Sequence, residues 1–137
     1  MNCTFLGHRD CDFSISVELE MTIENLIKNK GVNHFFLGNH GNFDRIALHS
    51  VTTLQGKYPH ITYEIVLAYI PDKQINHPAL YPEGIEKIPK KFAICFRNKW
   101  MVNHSDYIVS HIRCDFGAAY HFVTLAKKLG KEVINIL

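Results

Sequence analysis

The sequence predicts an α/β fold, a three-layer α-β-α sandwich with a five-stranded, mainly parallel sheet. Short apolar strands alternate with amphipathic helices along the 137 residues. Because consecutive parallel strands are joined by right-handed crossovers, this alternation places helices on both faces of the sheet. A chain of this length is expected to form one domain, residues 1–137, with its own hydrophobic core.

The predicted strands are short apolar runs, and the third is apolar toward its end, as in a strand covered on both faces. They span residues 3–6, 32–37, 61–70, 107–110 and 133–137. The predicted helices carry apolar residues at helical spacing and span residues 15–30, 43–57, 92–104 and 118–129. The first of them ends at Gly31 and the last at Gly130, since glycine commonly terminates a helix.

The segment from Pro71 to Lys91 interrupts this alternation. It holds four of the five prolines, with Tyr81 and Glu83 between them. A connection of this length inside a compact domain is usually a functional lid. A surface loop without a function is the alternative interpretation.

Composition limits the class of protein. A hydrophobic content of 47% with 20% charged residues is typical of a soluble globular domain, and a net charge of +2 does not indicate a nucleic-acid surface. No apolar run is long enough to span a membrane, and the N-terminus lacks the features of a signal peptide, so a cytoplasmic location is expected. The four cysteines have no C-x-x-C spacing and are expected to be reduced thiols. Neither a metal site nor a cofactor is predicted.

Three glycine-containing turns, at residues 7–10, 38–44 and 115–119, each follow an apolar run. Glycine lets backbone N–H groups approach an anion at a helix N-terminus, and ligands of parallel sheets bind beyond the carboxyl ends of the strands. The turns therefore predict a site for a phosphate-bearing small molecule. The candidate ligand-binding residues are Gly7, His8, Arg9, Gly38, Asn39, Gly41, Phe43, Asp44, Ser110, Gly117 and Ala118.

Several of these candidates have two interpretations. Arg9 is suited to hold a phosphate through its forked guanidinium, or to pair with a nearby aspartate. Asp44 is suited to accept hydrogen bonds from ribose hydroxyls, or to compensate the helix dipole. His8 either contacts the ligand or acts as an acid or base, or it hydrogen-bonds a neighbouring loop. Phe43 either stacks on a base or, as the favoured alternative, belongs to the core.

Five short motifs occur in a specific order along nearly the whole chain. They are Gly-His-Arg-Asp at 7–10, Gly-Asn-x-Gly-x-Phe-Asp at 38–44, Tyr-Pro-Glu-Gly at 81–84, Arg-Asn-x-Trp-Met at 97–101 and Ser-Asp-Tyr-Ile-Val at 105–109. This combination resembles the short YpsA-like members of the SLOG superfamily. The resemblance implies a Rossmann-like fold. That superfamily includes the Lonely Guy phosphoribohydrolases, DprA, and sensor domains for nucleotide-derived ligands.

The resemblance also bears on catalysis. Lonely Guy enzymes carry R-K-x-x-M and P-G-G-x-G-T-x-x-E motifs and hydrolyse the N-glycosidic bond of nucleoside monophosphates. Arg97, four residues before Met101, is similar to the first motif, but His121 stands where the glutamate of the second would fall. The resemblance thus implies Arg97 as a catalytic residue, with Glu83, Asp44 or His121 in place of that glutamate. A structural role for Arg97, lying along a half-buried helix face, is the alternative.

The leading hypothesis is a module that senses or sequesters a nucleotide or an ADP-ribose-like molecule, with the segment from Pro71 to Lys91 closing over it. An N-glycosidic hydrolase is the alternative. It ranks second because the glutamate is missing, and a carboxylate usually stabilises the reacting centre or activates water in such enzymes. A further alternative is a protein-interaction module with a vestigial pocket. A homodimer formed through Trp100 or Phe96 is also envisaged.

Overall fold

The computed structural model describes residues 1–136 and contains a parallel sheet flanked by helices on both faces. This confirms the predicted α/β class, but within the described residues the sheet has six strands rather than five. The strands are β1 (Asn2–Gly7), β2 (His34–Leu37), β3 (Thr62–Val66), β4 (Ala79–Leu80), β5 (Tyr107–His111) and β6 (Glu132–Asn135). Leu137, the last residue of the predicted final strand, lies outside the described residues.

The extra strand, β4, lies inside the segment that was predicted to be a loop. Its two residues pair with Ile65 and Val66 at the end of β3. A two-residue strand next to a proline is too short to show any periodicity in the sequence. Conversely, the predicted strand 61–70 is too long, since β3 ends at Val66.

The strands lie in the order β4-β3-β2-β1-β5-β6, and all neighbours are parallel. The chain adds strands outward from β1 to β4 and then crosses to the other side of β1. The switch in strand order therefore lies between β1 and β5, where Leu6 pairs with Ser110 and Gly7 with His111. A ligand crevice is expected beyond the carboxyl ends of these two strands.

Four helices cover the sheet: α1 (Ser16–Lys30), α2 (Asn42–Lys57), α3 (Ala93–Asn103) and α4 (Ala118–Lys128). Helices α1 and α2 pack together on one face, and α3 and α4 pack together on the other. The larger core cluster lies under α1 and α2, where Leu19, Ile23 and Val51 pack against Phe5 and Phe35 of the sheet. Two smaller clusters lie under α3 and α4, around Met101 and Phe122 respectively.

The first glycine turn differs from the prediction in one respect. It does not open a helix directly, because α1 begins only at Ser16, after a short 3-10 turn over Phe13–Ile15. The side chain of Asp12 caps this turn by accepting a hydrogen bond of 2.8 Å from the Ser14 backbone N–H. The N-terminus of α1 is therefore displaced from Gly7, unlike those of α2 and α4, which begin directly after their glycines.

The segment 71–91 is fastened at two points, once to β3 and once to the loop that follows β3. The Tyr63 hydroxyl lies 2.7 Å from His77 Nδ1, and the Tyr69 hydroxyl donates a hydrogen bond of 3.1 Å to the Lys90 carbonyl. Between these points lie β4 and a 3-10 turn at Ile85–Lys87. The segment is thus held by two tyrosine hydroxyls and by the backbone pairing of β4 with β3.

Candidate functional site

The loops that follow β1 and β2 and the start of α4 meet at the carboxyl edge of the sheet and surround a cavity of about 260 Å³. The cavity lies at the switch in strand order. Its lining comprises two guanidinium groups, one carboxylate, two imidazoles, an amide, and apolar residues both large and small. These residues are Phe5, Leu6, Gly7, His8, Arg9, His40, Asp44, Ile94, Arg97, Asn98, Met101, Ala118 and Ala119.

The floor of the site depends on a close contact between Gly7 and Phe43. A Cβ atom at position 7 would overlap the Phe43 ring, so only glycine permits this approach. Phe43 itself is 1% exposed and belongs to the core under α1 and α2. This placement corrects the ligand-binding assignment of Phe43, because its ring is covered by protein.

Gly41 brings the second loop against the first. It has φ of +94°, and a Cβ atom there would lie 2.7 Å from the Arg9 Cα. The Asn42 backbone N–H donates a hydrogen bond of 2.8 Å to the Arg9 carbonyl. These contacts fix the backbone of Arg9 at the rim of the cavity, while its side chain is exposed and lines the cavity wall.

Arg97 projects from α3 to the bottom of the cavity and is only 2% exposed. Its Nε donates to Asn98 Oδ1 at 2.9 Å, and its Nη1 donates to the Val66 carbonyl at 3.2 Å and to Asn39 Oδ1 at 3.5 Å. Among residues 1–136, no carboxylate lies within 4.0 Å of the guanidinium and no group accepts a hydrogen bond from Nη2. A buried cation without a carboxylate partner is costly unless an anionic ligand compensates it.

Asp44 is the only carboxylate among the described residues that line the cavity. Its Oδ2 accepts a hydrogen bond of 2.9 Å from the His40 backbone N–H. Burial raises the pKa of this carboxyl, against the opposing effects of the His40 N–H and of Arg97 and Arg9. Burial likewise lowers the pKa of Arg97, although Asp44 opposes that shift.

His40 lines the cavity beside these charges and is a residue that sequence reasoning missed. Its ring packs edge-on against Tyr69, and its Nδ1 is buried without a hydrogen-bond partner among the described residues. Burial, together with Arg97 and Arg9, lowers the pKa of His40 to about 4. The imidazole is therefore neutral near pH 7. The only feature of the sequence that pointed to His40 as a cavity residue was its position inside the second glycine turn.

The third turn contributes the N-terminus of α4. Gly117 precedes the helix with φ of +94°, and Ala118 and Ala119 line the cavity. The first hydrogen bond of the helix runs from the His121 N–H to the Gly117 carbonyl. The N–H groups of Ala118 and Ala119 thus precede the hydrogen-bonded part of the helix, at its positively polarised end.

Other predicted residues are placed around the site rather than in its wall. Gly38, Asn39 and Gly41 line a second hollow of about 170 Å³, which shares Asp44 with the main cavity. Ser110 is fully buried, and its hydroxyl donates to Asn135 Oδ1 at 2.9 Å. Gly117 is exposed just before the cavity-lining start of α4.

The three predicted catalytic residues are not brought together. Arg97 lies in the main cavity, whereas Glu83 is exposed on the segment 71–91 and does not line it. His121 lies one turn along α4, in a separate apolar groove of about 450 Å³ between α3 and α4. Asp44 is the predicted alternative partner that shares the cavity with Arg97.

Within residues 1–136, no group of three or more histidine, cysteine, aspartate or glutamate side chains is arranged to hold a metal ion. Nor is any helix of that part of the chain both long and apolar enough to cross a membrane.

No protein-family model and no curated protein matches this chain. Among solved structures, the chain is similar to DNA processing protein A (DprA) from Streptococcus pneumoniae, with a TM-score of 0.73 and 17% sequence identity. The match covers 99% of this chain and 50% of that chain, so the chain spans half the length of the protein it resembles. At this level of identity the similarity concerns the fold. The protein therefore has a DprA-like α/β fold.

Proposed function

We propose that the protein binds a phosphate-bearing, nucleotide-derived small molecule in the cavity beyond β1 and β2. The observation that carries this proposal is the buried guanidinium of Arg97, whose Nη2 has no protein acceptor among the described residues. A guanidinium presents paired donors that match the oxygens of a phosphate or carboxylate. A bound anion would supply the partner that this buried cation lacks.

The charge around the cavity supports an anionic ligand. The guanidinium groups of Arg9 and Arg97 face a single carboxylate, Asp44. The N-terminus of α4 adds backbone N–H donors and a favourable dipole at Ala118 and Ala119. His40 is neutral near pH 7 and adds polarity without charge.

The dimensions support a small ligand. A volume of about 260 Å³ is slightly below the ~300–1,000 Å³ that is usual for ligand pockets. We infer that a phosphoribosyl group or a mononucleotide fills the cavity, with the ribose hydroxyls donating to Asp44. A larger, ADP-ribose-like ligand would extend toward the adjoining hollow beside Gly38 and Asn39.

The arrangement favours binding over hydrolysis. Cleavage of an N-glycosidic bond generally requires carboxylates that stabilise a cationic centre or activate water. Here Glu83 and His121 lie outside the cavity wall, and Asp44 already accepts the His40 N–H. We therefore propose sensing or sequestration, and place hydrolysis by Arg97 with Asp44 second.

Ligand-dependent unfolding tests the proposal. Urea unfolding is measured with ribose 5-phosphate, AMP and ADP-ribose, and a ligand at one hundred times its Kd should stabilise the wild type by about 2.7 kcal/mol. Arg9→Ala should reduce this stabilisation. Lys128→Ala, which removes the same charge at the exposed far end of α4, should preserve it.

Two results would contradict the proposal: no stabilisation by any of these ligands, or equal stabilisation of wild type and Arg9→Ala. Chromatography of AMP after incubation separates binding from hydrolysis, because free adenine is released only if the N-glycosidic bond is cut.

A further inference from the structure

Cys114 and His8 form a thiol–imidazole pair beside the cavity. Cys114 lies in the loop between β5 and α4, and His8 follows β1 across the switch in strand order. The Cys114 Sγ lies 3.6 Å from His8 Nε2, which is within hydrogen-bond distance for sulfur. His8 lines the cavity and Cys114 is half-buried next to it.

The direction of the hydrogen bond follows from a third group. The backbone N–H of Arg113 points to the same His8 Nε2 at 3.5 Å, and a backbone N–H is only a donor. His8 Nε2 must therefore carry a lone pair, with the ring proton of the neutral imidazole on Nδ1. Because a ring nitrogen with a lone pair only accepts, the Cys114 S–H is the donor in its contact with His8 and shares that one lone pair with the Arg113 N–H. The Phe116 carbonyl, also 3.6 Å from Sγ, is the other acceptor within reach of the same single S–H proton.

The pair distinguishes Cys114 from the other three cysteines. Cys3 and Cys11 are buried, and burial raises the pKa of both thiols. Cys95 is exposed on α3 and, within the described part of the chain, has no hydrogen-bond partner for its sulfur. Cys114 combines partial exposure with a proton acceptor, which is the environment in which thiols are activated as nucleophiles.

We propose that Cys114 is a peroxide-reactive thiol and that His8 is its proton acceptor. The S–H proton moves to His8 Nε2 as sulfur attacks one oxygen of hydrogen peroxide. An S–O bond forms and the O–O bond breaks, so that sulfur loses two electrons and the peroxide gains them. The hydroxide that leaves takes the proton back from His8 and departs as water, and Cys114 becomes a sulfenic acid.

The pair lies at the wall of the cavity, where His8 forms part of the lining. Its position gives it a regulatory role that rests on the proposed function. Oxidation adds an oxygen atom beside His8, which forms part of the cavity wall. The reactivity of the thiol is measured without any ligand. A failure of the thiol proposal is therefore distinguishable from a failure of the ligand-binding proposal.

The experiment uses the full chain, hydrogen peroxide as oxidant and dimedone to trap sulfenic acid. Trypsin cleavage places the four cysteines on four different peptides, with Cys114 on 114–127 and Cys95 on 92–97, so mass spectrometry follows each separately. We expect Cys114 to be labelled about tenfold faster than Cys95 in the wild type. His8→Asn should slow labelling of Cys114 to the rate of Cys95 and leave Cys95 unchanged.

Two outcomes would overturn the proposal: labelling of Cys114 no faster than Cys95 in the wild type, or an unchanged Cys114 rate in His8→Asn. The first comparison needs no substitution. Circular dichroism verifies the fold of His8→Asn, and His8→Gln is the second variant if the first unfolds. Increased labelling of all four cysteines in a variant indicates that the variant is unfolded. In that case the proposal is decided by the labelling rates of Cys114 and Cys95 in the wild type.

Discussion

Asp44 and Arg97 approach Gly38 from two sides without forming an ion pair. A Cβ atom at position 38 would lie 2.6 Å from Asp44 Oδ2 and 3.2 Å from Arg97 Nη1. The carboxylate is instead held by the His40 N–H, and the guanidinium by Val66, Asn39 and Asn98. The absence of a side chain at position 38 thus permits both charged groups to occupy the end of β2.

Replacement of Gly38 by alanine should therefore destabilise the protein. The added methyl group would displace Asp44 Oδ2 from its hydrogen bond, and overpacking of this kind costs about 1–3 kcal/mol. Urea unfolding of Gly38→Ala measures the loss. The matched control is Gly56→Ala in α2, where a Cβ atom would contact nothing within 4 Å and is expected to stabilise by up to about 1 kcal/mol. Equal stability of Gly38→Ala and wild type would contradict the crowding at position 38.

A second prediction concerns the pH dependence of stability through His40. The pKa of His40 is lowered to about 4 in the folded protein, whereas an unfolded histidine has a pKa of about 6.5. As the pH falls, the unfolded chain therefore takes up a proton on His40 before the folded protein does. The free energy of unfolding then decreases as the pH falls from the unfolded pKa to the folded pKa of this histidine, and it is unaffected by the titration of His40 above the unfolded pKa. His40→Asn should show a smaller loss of stability between pH 6.5 and pH 4 than wild type.

Chemical unfolding across this pH range provides the measurement. The control is His49→Asn, which removes an exposed imidazole from α2. The difference between wild type and each variant isolates one histidine, because the remaining titrating groups contribute equally to both. A His40→Asn profile parallel to that of wild type would show that folding does not lower the pKa of His40.

The sequence predicted the architecture of the site better than its chemistry. Each glycine turn follows a parallel strand, and parallel strands end at one edge of the sheet, so sequence order alone places the turns of Gly7, Gly38 and Gly117 at that edge. Side-chain direction is set by packing instead. Phe43 follows the turn yet points into the core, and the ring of His40, inside the turn, points into the cavity.

The difference between position along the chain and direction of the side chain also explains why two predicted catalytic residues, His121 and Glu83, do not line the cavity. The resemblance placed His121 by its offset from Gly117 along the sequence. On a helix that begins at the cavity, a residue one turn further on is carried away from it, and His121 lies in the groove against α3. Glu83 was placed by a motif in the segment 71–91, whose path depends on long-range contacts such as that of Tyr69 with Lys90. No local pattern encodes such a contact.

That contact is the subject of a third prediction. The Tyr69 hydroxyl donates to the Lys90 carbonyl, and the Tyr69 ring also packs against the cavity-lining His40. Loss of one such hydrogen bond costs about 0.5–1.5 kcal/mol of local stability. Tyr69→Phe should therefore accelerate trypsin cleavage within the segment 71–91 by about two- to tenfold. Tyr81→Phe is the control, because Tyr81 is exposed and its hydroxyl makes no hydrogen bond within the described residues. Identical cleavage rates for Tyr69→Phe and wild type would show that this bond does not restrain the segment.

The last prediction concerns the geometry of Arg97 rather than its charge. A lysine at position 97 keeps the positive charge and is able to reach one of the acceptors that Nη1 now occupies, such as the Val66 carbonyl. Lysine has no second nitrogen equivalent to Nη2. In Arg97 the N–H groups of Nη2 are the donors that remain for an anion, because Nε and Nη1 donate to protein acceptors. We therefore expect Arg97→Lys to fold and to bind the ligand at least about tenfold more weakly, a loss of about 1.4 kcal/mol. Isothermal titration with the ligand that most stabilises the wild type measures this difference, with Lys128→Ala as the control for a change remote from the cavity. Undiminished affinity in Arg97→Lys would mean that a point charge suffices, and that the forked guanidinium does not hold the anion.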